Sequence, residues 1–264
     1  MATVNEIYTF LDQLAPFSYQ MDFDNAGFLV GRGAREVKKL LVSLDITEEV
    51  VQEAAQWGAE LVVSHHPVIF HPARSMTDQD PTGRILLTMA EDGIAAICAH
   101  TNLDAVTGGV NDALARAVGL SDVSMLQTQG VDLRGLPYGI GRVGTLEGSP
   151  SLVEYAARVK VALGANGVRY VDAGRPVCRV AVGGGACGDM LPEVIGQGCD
   201  TFLTSDVKYN GFLDAKALGT NLIDAGHFPT EQVVCPVLAE ELQRAFPGLT
   251  VRISAVHGEV FSYL

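Results

Sequence analysis

Short apolar runs alternate with amphipathic stretches along the first half of this chain. Lys39-Leu-Leu-Val-Ser-Leu-Asp45 predicts a strand, and Thr47 to Trp57 follows as a helix that Thr47 can cap and Gly58 can end. Glu60 to Ser64 predicts the next strand, Arg84 to Glu91 a helix, Ile94 to Ala99 a third strand, and Val110 to Val118 a further short helix. Strands this apolar, separated by helices, predict a largely parallel sheet covered on both faces. The second half repeats the alternation, with strands at Arg179–Val182 and Thr201–Thr204, a helix over Met190–Ile195, and an apolar run from Asn221 to Gly226.

A shift of 140 residues places Val42 on Val182, Gly58 on Gly198, Glu60 on Asp200, Ser64 on Thr204 and His66 on Asp206. Such matches in register suggest an old duplication, and so two related α/β lobes. The stretch Leu126 to Pro150, with six glycines and two prolines, is the expected passage between them. The expected division is residues 1–125 for a first α/β lobe and 126–219 for a second. Residues 220–264 form a C-terminal segment that returns to the first lobe.

Ligands of open α/β sheets bind beyond the carboxyl ends of the strands. Asp45, His65, His66, His100, Asp104, Ser205, Asp206 and His227 all fall at such ends. Imidazole nitrogens and carboxylate oxygens in that mix suit a divalent metal such as zinc, iron or manganese. Neighbours on a strand face opposite ways, so His65 and His66 can serve one centre only where the strand gives way to a turn, and Pro67 suits that terminus. Pro229 favours a helix start, which sets His227 just before a helix and Glu231 in its first turn. Each residue has a plainer use: the histidine pair as a surface feature, Asp104 as a turn, Glu231 as a partner of the helix dipole. Together at three strand ends they point to one polar site. Five donors exceed the three usual at a mononuclear catalytic zinc and fit two metals. His71 and His257 lie outside the pattern and read as surface or loop residues. Gly183-Gly-Gly-Ala-Cys-Gly188 offers either amides for a phosphate or a tight turn. Lys208 could balance a phosphate or pair with Asp206.

The 264 residues, 48% of them hydrophobic, support a sizeable core. No stretch reaches the ~18 to 20 apolar residues of a membrane span, and the N-terminus has no secretory pattern. Five scattered cysteines without a CxxC pair indicate reduced thiols and a cytoplasmic location. A net charge of −13 speaks against nucleic-acid binding, which needs clustered Lys and Arg.

The chain resembles the GTP cyclohydrolase 1 type 2 homologue family, also called the NIF-three-like proteins. The matching stretches are Asp24-Asn-Ala-Gly-Phe-Leu-Val-Gly31, Ser64-His-His-Pro67, His100-Thr-Asn-Leu-Asp104, Thr204-Ser-Asp-Val-Lys-Tyr209, Gly226-His-Phe-Pro-Thr-Glu231 and Phe261-Ser-Tyr-Leu264. Phe23 replaces a tryptophan common before Asp24, and Pro229 stands where a small residue is usual. With no room for an inserted middle domain, the chain is expected to be a short form. The resemblance implies two α/β lobes with the metal site in the cleft between them. It also implies two divalent metal ions per subunit, held by His65, His66, Asp104, His227 and Glu231, and a homohexamer built from dimers. The expected activity is metal-dependent hydrolysis of a nucleotide or phosphorylated heterocycle, with Asp45 or His100 relaying protons. The alternative is a non-catalytic metal-binding assembly or regulatory protein.

Overall fold

The apolar runs of the first hundred residues become strands and the amphipathic stretches between them become helices. The computed structural model describes residues 2–132 and 135–264. Its first elements are β1 (Ala2–Thr3), α1 (Val4–Leu14), β2 (Gly27–Val30), β3 (Glu36–Val37), β4 (Lys39–Ser43), α2 (Glu48–Trp57), β5 (Leu61–Ser64), α3 (Pro81–Asp92) and β6 (Ala95–Cys98). Next come α4 (Thr101–Ala105), α5 (Val110–Ala117), β7 (Ser121–Val131), β8 (Pro137–Thr145), α6 (Leu152–Ala162), β9 (Arg169–Val171), β10 (Arg179–Val182), α7 (Leu191–Gly196) and β11 (Thr201–Thr204). The chain closes with α8 (Tyr209–Ala217), β12 (Asn221–Asp224), α9 (His227–Glu231), α10 (Val234–Ala245) and β13 (Thr250–Ile253).

Local chemistry sets the helix limits. The Thr47 hydroxyl accepts from the Val50 amide at 3.3 Å, and Gly58 at φ +74° ends α2 in the left-handed region. Asp80 caps α3 by accepting from the Gly83 amide at 2.9 Å, with Pro81 in the first turn.

Two compact units result. One comprises the residues up to Leu103 with Cys235–Gly258, the other Asp104–Val234 with Glu259–Leu264. In the first, five strands run in the order β13-β4-β5-β6-β2, the first four parallel and β2 antiparallel. Leu41, Val51, Ala54, Val62, Met89 and Ala96 join the strands to α2 and α3 in one core. Coverage of both faces is why β5 and β6 are buried at every residue and are apolar at all but Ser64.

The second unit holds six strands in the order β7-β8-β10-β11-β12-β9. Only β10, β11 and β12 are parallel; β8 and β9 flank them antiparallel, and β7 pairs with β8. Both sheets are thus mixed, with parallel centres, and helices pack on them. The breaks fall at residues 103/104 and 234/235 rather than at 125/126 and 219/220. The reason is that α5 packs with β8 and β10, while β12 completes the second sheet and only α10 and β13 return to the first.

The glycine-rich stretch from Leu126 to Pro150 is not a passage between units. Its described residues form most of the β7–β8 hairpin, and residues 133 and 134 lie outside the described residues. Glycine serves close packing here: a Cβ on Gly139 would stand 2.0 Å from the Gln127 carbonyl oxygen, and one on Gly144 would stand 2.8 Å from Leu120 Cβ.

The 140-residue repeat has a physical counterpart. Val42 pairs with Val63 across β4 and β5, and Val182 pairs with Leu203 across β10 and β11. Glu60 Oε2 accepts from the amides of Lys38 and Lys39 at 3.0 and 2.8 Å. Asp200 Oδ2 accepts from those of Cys178 and Arg179 at 3.0 and 2.7 Å. Gly198 ends its turn at φ +71°, as Gly58 does at +74°.

Candidate metal centre

In the first unit the ends of β4, β5 and β6 carry Asp45, the pair His65 and His66, and His100. The backbone turns at once after β5: the amides of both His65 and His66 reach the Leu44 carbonyl, at 3.2 and 2.8 Å. This departure from strand geometry frees the two rings from opposite faces. The His65, His66 and His100 rings lie 5.0 to 5.3 Å apart, centroid to centroid, and one ligand atom from each falls within 4.8 Å of the others.

What each ring's Nδ1 touches decides its chemistry. His65 Nδ1 donates to the Ala99 carbonyl at 2.8 Å, His66 Nδ1 to Asp45 Oδ1 at 2.7 Å, and His100 Nδ1 to Asp24 Oδ1 at 2.7 Å. A carbonyl or carboxylate can only accept, so the neutral rings carry their proton on Nδ1 and their lone pair on Nε2. Such tautomer control is the usual way a protein prepares imidazoles for a cation.

The carboxylates behind the rings are held ionised. Burial pushes the Asp24 carboxyl up, but hydrogen bonds from His100 and Thr101 outweigh it and leave it at about 2. Burial acts on Asp45 in the same sense and is overcome by His257 and then His66, which hold it well below the usual carboxylate range. His257 is therefore no surface residue: its side chain is 8% exposed and its Nε2 lies 2.8 Å from Asp45 Oδ2. No sequence signal joins positions 212 residues apart, and only β13 returning beside β4 brings His257 there.

In the second unit His227 opens α9 directly after β12. Its Nδ1 donates to Asp206 Oδ2 at 2.6 Å, and its Nε2 stands 3.0 Å from Glu231 Oε2, one helical turn on. Asp206 takes φ +53°, a left-handed conformation uncommon for a residue with a side chain, in the position that meets His227. Its observed partner is thus His227 rather than Lys208. Glu231 is 3% exposed, and a carboxylate oxygen of half-buried Asp104 lies within 4.8 Å of one of its own.

The first three amides of the glycine loop after β10 are already taken within the protein. The Gly183 amide donates to the Leu203 carbonyl, Gly184 to Asn111 Oδ1, and Gly185 to the Thr230 hydroxyl. Its role is steric. A Cβ on Gly185 would fall 2.1 Å from Glu231 Oε1 and 3.3 Å from His227 Nε2, so only glycine lets the backbone pass this pair. Burial, together with the charges of Asp104 and Glu231, pushes the Cys187 thiol up, which keeps it protonated and unreactive.

The sequence-derived donors thus fall in two sets. His65 and His66 are grouped in the first unit with His100, and Asp104, His227 and Glu231 in the second. Lone pairs set on Nε2 and carboxylates beside imidazole are donors that fit a divalent cation.

Comparison with known proteins gives the lineage. Among the described residues no helix is long and apolar enough to cross a membrane. A protein of Clostridium perfringens named GTP cyclohydrolase 1 type 2 homolog is 32% identical over 241 residues, covering 91% of each chain. A hypothetical protein of Staphylococcus aureus, solved by crystallography, superposes with a TM-score of 0.92 at 30% identity over 99% of both chains. A Bacillus cereus protein related to NIF3 shares the fold at a TM-score of 0.94 and 24% identity, covering all of this chain and 99% of its own. The family model for Duf34/NIF3 (NGG1p interacting factor 3) matches residues 2–259, and the chain belongs to that family.

Proposed function

We propose that this protein binds two divalent metal ions through His65, His66, Asp104, His227 and Glu231 and is a metal-dependent hydrolase of a nucleotide or other phosphorylated heterocycle. The observation that carries the metal reading is the tautomer control: His65, His66 and His227 each give Nδ1–H to an acceptor and so present Nε2. Relatives named GTP cyclohydrolase 1 type 2 homolog support the substrate class. A bound divalent cation would acidify water and polarise an acceptor oxygen. Asp45 and Asp206 hold the rings in position, Gly185 keeps backbone clear of Glu231, and Asp45 or His100, the latter tied to ionised Asp24, would relay a proton. The same proposal extends to zinc, iron or manganese as the ion and to a cytoplasmic homohexamer, as the sequence resemblance implies. Light scattering that found only a 28.0 kDa monomer would remove the hexamer.

The direct test of the activity is an unbiased metabolite screen with metal-loaded protein beside a His65→Ala control. The proposal expects a phosphorylated heterocycle to be consumed by the first and spared by the second, with loss on chelation and recovery on metal return. Full metal loading with no consumption of any metabolite would replace the hydrolase by a metal-binding assembly or regulatory protein.

A further inference from the structure

Two phenylalanines stand in solvent beside the imidazoles of the first unit. Phe23 is 65% exposed and Phe70 is 38% exposed. Phe23 immediately precedes Asp24, the carboxylate that holds His100, and Phe70 lies four residues beyond His66. The loops that carry them are tied together, since Asn25 Nδ2 donates to the Ile69 carbonyl at 2.5 Å. The Phe23 and Phe70 rings are 6.4 Å apart, and Phe70 stands 4.8 Å from the exposed His71 ring and 6.1 Å from that of His100. A row of flat rings therefore runs from solvent to the imidazole cluster.

Scattered exposed apolar side chains are ordinary on any protein surface. A contiguous pair, fixed by a hydrogen bond between its loops and continuous with a polar cluster, is a different case. Aromatic faces hold other aromatic faces by stacking, and base stacking tolerates any base because every base has a π-face. A sugar phosphate or an aliphatic acid would leave these rings in water, whereas a planar ring would cover them while its polar groups reached His100 and His66.

We propose that Phe23, Phe70 and His71 form a stacking shelf for the planar heterocyclic ring of the ligand. The proposal rests on the hydrolase reading for the identity of the site, and it adds what that reading leaves open: where the ring lies and which residues select for it. Phe23 and Phe70 are then specificity-determining residues, outside the metal ligands.

Calorimetry on the full chain tests it, with AMP, GMP, CMP, UMP and ribose 5-phosphate as probes and metal content measured on every sample. At least one nucleoside monophosphate should bind about tenfold or more tighter than ribose 5-phosphate. Phe70→Ala and the Phe23→Ala, Phe70→Ala pair should reduce that preference to near one, while Phe70→Tyr keeps it, all with metal content and unfolding temperature unchanged. Equal affinity for all five probes, no binding by any nucleotide, or a preference that survives the double substitution would overturn the shelf. A wild-type protein that takes up no metal would instead defeat the metal reading, and the ring preference measured on that same sample would still decide the shelf.

Discussion

After β5 the chain turns into two histidines; 140 residues on, after β11, it turns into Ser205 and Asp206. Behind those ends the two β–α–β segments agree in backbone detail. Each has a left-handed glycine just past its helix, a carboxylate clamping two amides at the start of the first strand, and the same strand register. Beyond the ends they diverge. The first unit gathers three imidazoles, whereas in the second Asp206 is the acceptor that orients His227, which follows the next strand. Groups that satisfy buried backbone are hard to exchange, while residues past a strand end answer only to the chemistry they serve.

The amide clamps offer the largest test of this comparison. Asp200 is 6% exposed and also takes the Thr201 hydroxyl at 2.7 Å, while Glu60 is only half-buried. Asp200→Ala should cost about 3 kcal/mol in denaturant unfolding and Glu60→Ala about 1, because an unmet buried amide carries its full desolvation cost. Equal losses would show that burial does not separate the two clamps.

Next come the carboxylates behind the rings. Asp45→Ala and Asp206→Ala should each weaken metal binding about tenfold to a hundredfold, read by competition with a chelator. His257→Ala, acting only through Asp45, should have a smaller effect. A larger loss from His257→Ala than from Asp45→Ala would break the relay from His257 to His66.

A third, smaller effect concerns acid. Asp24 is held at about 2 against an ordinary value of 3.8, so its contribution is fully present above about pH 4 and is lost as pH falls through about 2. Asp24→Asn should therefore flatten the acid limb of the stability curve by about 2 kcal/mol between those values. An unchanged acid limb in the variant would contradict the hydrogen-bonded, ionised Asp24.

The smallest effect is the most symmetrical. Gly58→Ala and Gly198→Ala should each cost about 1 kcal/mol, since both positions have positive φ and a Cβ meets nothing closer than 3.8 Å at Gly58 and nothing within 4 Å at Gly198. Costs differing by much more than ~0.5 kcal/mol would deny the two helix ends the same role.

How far the sequence could be read follows from the same physics. The parallel strands were legible because both their faces are covered, so β5, β6 and β11 are buried at every residue and built around apolar runs. Thr47 and Gly58 announced α2 through their own local chemistry. The sequence points to His65, His66, Asp104, His227 and Glu231 as candidate donors because strand ends are where such sheets place polar groups. The β7–β8 hairpin was hidden, since glycines needed for close cross-strand approach look the same in sequence as glycines of a linker. The use of Gly183 to Gly185 was equally hidden, because whether an amide is already taken depends on Leu203, Asn111 and Thr230. His257 could not be found at all: its partner Asp45 is reached only through the return of β13.

The central proposal is that this chain binds divalent metal and that His66 and Glu231 are among its ligands. Elemental analysis of purified wild-type protein beside His66→Ala and Glu231→Gln tests it most directly, one variant drawn from each unit. The account predicts up to two metal ions per wild-type chain and a loss of about half or more in each variant, with unfolding temperatures close to wild type. Metal content undiminished in both variants would contradict it.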